Sequence, residues 1–215
     1  GVIIAVSAAT SAQLGTVKVL GADYVSFQYV TIRPLNKVWP SGFSTGVIID
    51  SSGADVSSFV NFYGCRIESN WYITSKNQTS VYINGYQNDV SLVKDTFYNA
   101  SCAVNVVGNR NFGDYTKNLT IDSCAFIVSG SDVFQPFNIR YVKNLAITHN
   151  SMVKNGCCAD RMGQFFGLRA PVEISYNKFY YQTGSSSGNG FDFDSVNLFN
   201  DNAPVRIYNN FFQSN

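Results

Sequence analysis

The chain has 215 residues, which suits one domain and is enough to bury a core without metal or disulfide support. Charged residues make up only 13% of it, and 15 basic against 14 acidic side chains leave a formal net charge of +1. This balance builds no positive field, so we expect no nucleic-acid partner. No apolar run approaches the roughly 18 residues that cross a bilayer, so we expect no membrane insertion.

The composition points to β-structure. The chain contains 17 Phe and 13 Tyr but only two Glu, and Glu is one of the residues that normally build amphipathic helices. Asn, Ser and Gly are abundant and favour tight turns. We therefore predict an all-β protein with many corners.

One phrase of eight residues occurs seven times, with apolar residues alternating at its start. In chain order it reads VSFQYVTI from 25, VNFYGCRI from 60, VSLVKDTF from 90, LTIDSCAF from 119, LAITHNSM from 145, VEISYNKF from 172 and VRIYNNFF from 205. The alternation predicts half-buried strands. A phrase that recurs every 26 to 35 residues is typical of a solenoid.

Two positions of the phrase predict stacks inside this solenoid. The sixth position should place a small residue at a corner, bonded to backbone groups of the turn. It holds Val30, Cys65, Asp95, Cys124, Asn150, Asn177 and Asn210. The eighth position should form an adjacent buried apolar stack, and it holds Ile32, Ile67, Phe97, Phe126, Met152, Phe179 and Phe212.

The V-x-I-x-x-N-x-F phrase with its Asn corner resembles the coils of right-handed parallel β-helix proteins of the pectin-lyase-like superfamily. The segment Gly21-Ala22-Asp23-Tyr24-Val25 that leads into Val30-Thr31-Ile32 is similar to coil openings of large secreted bacterial β-helix surface proteins. The resemblance covers the chain from Val17 to Phe212 and implies a right-handed parallel β-helix of about seven coils. It also implies an extracellular or cell-surface location, whereas this scaffold hosts several unrelated activities.

The domain prediction is a single parallel β-helix over residues 1–215. A β-sandwich also has many short strands, but it does not explain a corner residue that keeps its register seven times. A solenoid needs capping units, and the sequence has no recognisable amphipathic capping helix before its first phrase. We therefore expect the chain to be a segment of a longer solenoid or assembly.

The cysteines predict free thiols. Five is an odd number, and Cys65 and Cys124 share the corner column with the Asp95 coil between them. Two coils place them about 9 to 10 Å apart, beyond disulfide reach. Cys157 and Cys158 are adjacent in a loop, but a single His and no CxxC spacing argue against structural zinc.

The fourth and fifth positions of the phrase should face solvent and carry any function. The glycan-contacting candidates are Tyr63, Asp122, Tyr176 and Tyr208, because aromatic faces stack on sugar rings and polar groups bond their hydroxyls. The alternative is an ordinary solvated sheet face with residues that favour β-structure.

Catalytic candidates come from polysaccharide-lyase chemistry, which needs a base, a cation that neutralises a uronic carboxylate, and an acid. His149, Lys94 and Tyr176 have suitable chemistry, but Ser123 separates Lys94 from His149 in the column. Arg161 and Arg169 distantly resemble the arginine stretch of pectate lyases, without its prolines and its upstream aspartates. The resemblance to those lyases implies calcium, for which Asp192 and Asp194 are candidate ligands.

These observations predict an extracellular, rigid surface or adhesive module that contacts a polysaccharide or surface glycan without catalysis and without a cofactor. The first alternative is a polysaccharide lyase that acts on an acidic polysaccharide, and the second is a phage tailspike-type β-helix. No lyase or hydrolase signature is complete in the sequence, which is why the binding module is preferred.

Overall fold

The computed structural model of the chain describes residues 2–6, 14–34, 44–51, 55–69, 79–98, 100, 102–108, 115–129, 135–155, 161–182, 189–194 and 203–214. These residues form strands joined by turns and bends, and no helix occurs among them. In the same residues we find no helix with the length and apolar character needed to span a bilayer.

The strands, numbered in chain order, form three parallel sheets. Sheet 1 contains β2 (Leu14–Leu20), β5 (Ser44–Asp50), β8 (Thr79–Asn84), β11 (Cys102–Val107), β14 (Gln135–Arg140), β17 (Arg161–Phe166) and β20 (Asn189–Asp194). Sheet 2 contains β3 (Ser26–Gln28), β6 (Ser58–Tyr63), β9 (Asn88–Val93), β12 (Thr116–Asp122), β15 (Val142–Thr148), β18 (Arg169–Ser175) and β21 (Val205–Tyr208). Sheet 3 contains β1 (Val2–Val6), β4 (Val30–Pro34), β7 (Arg66–Glu68), β10 (Thr96–Tyr98), β13 (Ala125–Ser129), β16 (Ser151–Asn155), β19 (Lys178–Gln182) and β22 (Phe211–Ser214).

The chain passes through sheets 1, 2 and 3 in turn and then enters the next strand of sheet 1, so three consecutive strands make one coil. Among the described strands, seven such coils run from β2–β4 to β20–β22. The all-β parallel β-helix prediction is confirmed, and a β-sandwich is excluded because adjacent strands pair in parallel. Parallel crossovers are right-handed in nearly all proteins, so a right-handed coil remains our expectation.

The apolar residue at the eighth position of the phrase builds a stack on the inner face of sheet 3. Phe97 pairs in register with Ile67 on one side and with Phe126 on the other. The rings of Phe97 and Phe126 are parallel within 12°, with their centroids 5.0 Å apart. Met152 and Phe179 continue the stack and are fully buried, as predicted.

The corner between sheets 2 and 3 is made by a residue in the left-handed region of φ. The fifth position of the phrase adopts φ between 53° and 63° in all seven coils, at Tyr29, Gly64, Lys94, Ser123, His149, Tyr176 and Asn209. Glycine and asparagine tolerate this conformation, whereas the other five side chains carry backbone strain. In the first six coils the backbone N–H of this corner residue donates to a carbonyl of the next coil, for example from Lys94 to Asp122 at 3.0 Å.

The next residue points inward and bonds the backbone of its neighbours. The Asn177 side-chain oxygen accepts the backbone N–H of Asn150 at 3.0 Å, and its amide nitrogen donates to the carbonyl of Ile147 at 2.9 Å. Asn210 repeats both contacts one coil further on, with the backbone of Asn177 and the carbonyl of Ile174. Asn177 and Asn210 thereby each satisfy two backbone groups that the corner would otherwise leave buried without a partner.

Cysteine can occupy the same position because its thiol also donates. Cys65 Sγ lies 3.4 Å from the carbonyl oxygen of Phe27, and Cys124 Sγ lies 3.3 Å from that of Leu92. Both thiols are free and buried, and their burial raises the pKa of each. Cys157 and Cys158 lie outside the described residues.

The Asn177→Leu variant should lose about 1–3 kcal/mol of unfolding free energy, because leucine leaves buried backbone groups without partners. Urea unfolding followed by circular dichroism measures this loss. Asn138→Leu is the matched control, since Asn138 lies on the outer face of β14, does not have a positive φ, and contacts the side chains of Asn105 and Arg140 at the surface. Equal stability of the Asn177→Leu variant and the wild type would contradict the ladder.

Cys65 and Cys124 should resist a thiol reagent in the native protein and react after denaturation, because both sulfurs are buried and protonated. Mass spectrometry of peptides labelled before and after addition of denaturant identifies which cysteines react. Rapid native labelling of either thiol, or a bridge between the two, would contradict their placement inside the corner.

Candidate functional site

A row of outward-facing side chains follows the corner between sheets 2 and 3. The positive φ of the corner residue turns its side chain to solvent, and the residue before it ends a strand of sheet 2 on the outer face. Together these two positions bring one large or charged side chain from each coil into line. We call this set the corner row, and it consists of Tyr29, Tyr63, Lys94, Asp122, His149, Tyr176 and Tyr208.

The first part of the corner row is aromatic and cationic. Tyr29 and Tyr63 meet edge to face, with centroids 5.6 Å apart. The Lys94 ammonium donates to Tyr63 Oη at 2.8 Å and lies 5.1 Å from the centre of the ring. The hydrogen bond from Lys94, assisted by its charge, lowers the pKa of Tyr63, and the same bond raises the pKa of Lys94.

Asp122 is the hydrogen-bonding centre of the corner row. Its Oδ1 accepts from Thr148 Oγ1 at 2.5 Å and lies 3.0 Å from His149 Nδ1, and its Oδ2 accepts from Ser123 at 3.0 Å. Burial raises the pKa of the Asp122 carboxyl, but these hydrogen bonds outweigh burial and hold the pKa below its ordinary value. Asp122 is therefore ionised at neutral pH and orients the imidazole of His149.

The last part of the row is an aromatic platform. The His149 and Tyr176 rings stack with centroids 5.2 Å apart and planes parallel within 1°. Tyr208 meets Tyr176 edge to face at 5.5 Å. The side chain of His149 is 58% exposed and Tyr176 is 46% exposed, so the platform is open to a ligand in solution.

Glu173 also belongs to this platform, although the sequence pattern had not indicated it as a functional residue. Its Oε1 accepts from Tyr208 Oη at 2.7 Å and from Ser175 Oγ at 2.9 Å. These bonds lower the pKa of Glu173, and the bond to Glu173 raises the pKa of Tyr208. Its position in the sequence could have indicated it, because Glu173 is at the second, outward position of its phrase and is one of only two Glu in the chain.

A second outward row also escaped the sequence reading. Phe59, Asp89, Asn118 and Asn144 have positive φ and bulge outward near the start of the sheet 2 strands. Asn118 donates to Asp89 Oδ1 and Asn144 donates to Asn118 Oδ1, both at 2.7 Å. Each of these residues directly precedes a phrase, and Asn and Asp favour positive φ, so the pattern was visible in the sequence. We call this set the bulge row.

In the first five coils, the outer face of sheet 2 between the two rows carries small side chains, most of them polar, whereas Glu173 and Arg206 occupy the same column in the last two coils. Ser91 donates to Asn61 Oδ1 at 2.7 Å, and the amide of Asn61 lies 3.3 Å from Ser26 Oγ. Thr120 and Ala146 continue the same column in register. The face is therefore a polar strip bordered by taller side chains on both sides.

The two arginine candidates lie away from His149. Arg169 begins β18, whereas the corner row follows the other end of that strand, about 20 Å away over seven residues. Its guanidinium lies 4.3 Å from the centre of the Tyr115 ring. Arg161 begins β17 in sheet 1, and its side chain lies outside the described part of the structure. The structure thus does not join either arginine to Lys94 and His149.

Asp192 and Asp194 lie on the outer face of β20. They alternate with Phe191 and Phe193, whose rings pack against Phe165 in the core. Nowhere in the described residues do three His, Cys, Asp or Glu side chains converge. Asp192 and Asp194 remain predicted calcium ligands, because calcium also takes oxygen ligands from backbone carbonyls and water.

Comparison with known proteins adds little to this geometry. No protein-family model matches the chain, and no curated protein matches it. Among solved structures, the Streptococcus pneumoniae surface protein and adhesin PfbA is similar with a TM-score of 0.45 and 11% sequence identity. The match covers 94% of this chain and 64% of the PfbA chain. At this level of similarity it carries no functional argument, so the fold rests on the strand pairing of the protein itself.

Proposed function

We propose that the protein is a rigid extracellular surface module that binds a polysaccharide or surface glycan along the outer face of sheet 2 and does not alter it chemically. The observation that carries the proposal is the corner row, which presents one aromatic or polar side chain from every coil. Aromatic faces cover the apolar faces of sugar rings, and the neighbouring polar groups bond their hydroxyls. Such a site requires no reacting group.

Rigidity of the backbone supports binding. In the first six coils the corner residue donates its backbone N–H to the following coil, as from His149 to the carbonyl of Ser175 at 3.1 Å. The side chains above this frame are held by one another, as Tyr208 is by Glu173. A surface whose groups are already ordered loses less conformational entropy when a ligand binds.

The spacing of the coils supports a ligand with a repeating structure. Parallel strands lie about 4.8 Å apart, so equivalent side chains recur at that interval along the solenoid. A polysaccharide offers equivalent hydroxyl and ring surfaces repeatedly along its length. Several weak contacts of this kind combine into useful affinity when they engage one chain together.

Two features speak against elimination chemistry at the corner row. A lyase base must act within a few ångströms of the cation that neutralises the uronic carboxylate. Lys94 belongs to the third coil and His149 to the fifth, which separates them by about 10 Å. The charged group that contacts His149 is the Asp122 carboxylate, and a negative charge at that place would repel a uronic acid.

The second candidate function is a polysaccharide lyase, and one contact favours it. Asp122 holds His149 through Nδ1 at 3.0 Å, which leaves Nε2 as the ring nitrogen available to a substrate. A carboxylate that orients an imidazole is a common arrangement for a general base. This candidate would require its cation from outside the corner row.

Changing Tyr176 to alanine should weaken glycan binding by about three- to tenfold, the equivalent of one lost aromatic contact of about 0.5–1.5 kcal/mol. A glycan array identifies the ligand, and isothermal titration calorimetry then measures the affinity of each variant. Tyr180→Ala is the matched control, because Tyr180 is 41% exposed on the same coil but belongs to sheet 3.

Two outcomes would contradict the binding proposal. One is an array on which no glycan is retained by the folded wild-type protein. The other is an equal loss of affinity in the Tyr176→Ala and Tyr180→Ala variants, which would move the binding surface away from the corner row.

Purified protein should release no unsaturated products from pectate, alginate or glycosaminoglycans, with or without calcium, because base and cation do not converge. Ultraviolet absorbance of the new double bond provides the measurement. A rise in absorbance that disappears in the His149→Ala or Arg169→Ala variant would establish the lyase instead.

A further inference from the structure

Asp95 stands out in the inward ladder because it is the acidic member of a column of cysteines and asparagines. It is 1% exposed and lies between Cys65 on the preceding coil and Cys124 on the following coil. Its Oδ1 accepts the backbone N–H of Cys65 at 2.7 Å. Its Oδ2 is buried and has no hydrogen-bond partner among the described residues.

The other ladder residues show which backbone group the atom equivalent to Asp95 Oδ2 contacts. In each cysteine and asparagine of the ladder, a side-chain atom lies within hydrogen-bond distance of the backbone carbonyl three residues before the preceding ladder position. The pairs are Cys65 with Phe27, Cys124 with Leu92, Asn150 with Ile121, Asn177 with Ile147, and Asn210 with Ile174. By the same rule, the carbonyl assigned to Asp95 is that of Phe62.

An ionised carboxylate cannot fill this role, since it accepts hydrogen bonds and has no proton to donate. Two oxygen acceptors would then face each other in the interior, at a cost in stability. A protonated carboxyl has the same shape as the asparagine amide, with Oδ1 as acceptor and Oδ2–H as donor. We propose that the Asp95 carboxyl is protonated in the native protein and that its Oδ2–H donates a hydrogen bond to the carbonyl of Phe62. The stability of the third coil would then depend on pH.

The surroundings of Asp95 favour the neutral form. Desolvation raises the pKa of Asp95 to about 7, against the opposing effect of hydrogen bonds from the backbone of Cys65 and Val93 and from the Cys65 side chain. The two flanking thiols have raised pKa values and remain neutral, so they supply no positive charge. Lys94, the adjacent residue, faces outward and donates to Tyr63 at the surface.

The direction of the pH effect follows from these values. Asp in an unfolded chain has a pKa of about 4, so between pH 4 and pH 7 the native state holds one proton more than the unfolded state. Stability from this group is complete below pH 4 and is lost as the pH rises through about 7. Because the native state holds this one extra proton, the unfolding equilibrium constant rises by up to about tenfold for each unit of increase in pH within this window.

The test compares urea unfolding of the wild type and the Asp95→Asn variant at pH 5, 6, 7 and 8. We expect wild-type stability to fall over this range, and we expect the variant, whose amide donates permanently, to lose that dependence and to be the more stable protein at pH 8. Asn150→Asp should introduce the same dependence two coils away. Asp89→Asn, which removes a half-buried carboxylate of the bulge row, should leave the wild-type dependence unchanged.

A second measurement does not depend on any variant. In the wild type with ¹³C-labelled aspartate, one carboxyl should titrate near pH 7 by nuclear magnetic resonance. The proposal is overturned if all carboxyl resonances titrate below pH 5. It is equally overturned if wild-type stability does not change between pH 5 and 8, or if the Asp95→Asn protein is less stable than the wild type at pH 8.

Discussion

The structure depends on how the chain turns the corner between sheets 2 and 3. A residue with positive φ reverses the outward and inward alternation there, and the next side chain enters the interior to bond the backbone of the neighbouring coils. Without that side chain, the corner would bury backbone groups that no strand can satisfy. An amide, a thiol or a carboxyl can make these hydrogen bonds, because each of these side chains has a polar atom close enough to the backbone groups. The Asn ladder is therefore a solution to a hydrogen-bonding constraint and tolerates different residues.

The same corner creates the surface that we propose to be functional. The residue that adopts positive φ directs its side chain outward, and it does so in register in every coil. The identity of the inward residue is limited by the hydrogen bonds of the ladder. The identity of the outward corner residue is limited only by the strain of a positive φ. Tyr29, Lys94, His149 and Tyr176 accept that strain where glycine or asparagine would be easier. Their presence costs stability and is more readily understood if the exposed side chains are used.

The charged side chains of the corner row, and Glu173 beside it, are each hydrogen-bonded to a neighbour. Lys94 is joined to Tyr63, Asp122 to His149 and its hydroxyl neighbours, and Glu173 to Tyr208. The surface therefore offers oriented hydrogen-bonding groups beside aromatic faces without a strong field of either sign. This character agrees with the nearly neutral composition of the chain, and it is a better match for hydroxyl-rich ligands than for polyanions.

The sequence by itself determined the solenoid, its inward ladder and its apolar stacks. Asn150, Asn177 and Phe179 recur at fixed places in a phrase, and parallel stacking brings equivalent places together whatever the loop lengths between them. The outward positions of Tyr63 and Tyr176 followed from the same alternation. Only the tertiary structure decided which outward side chains touch, because contacts such as Asp122 with His149 and Tyr208 with Glu173 depend on rotamers and on register between coils. The tertiary structure also separated Arg169 from His149, since Arg169 begins β18 whereas the corner row follows the other end of the sheet 2 strands.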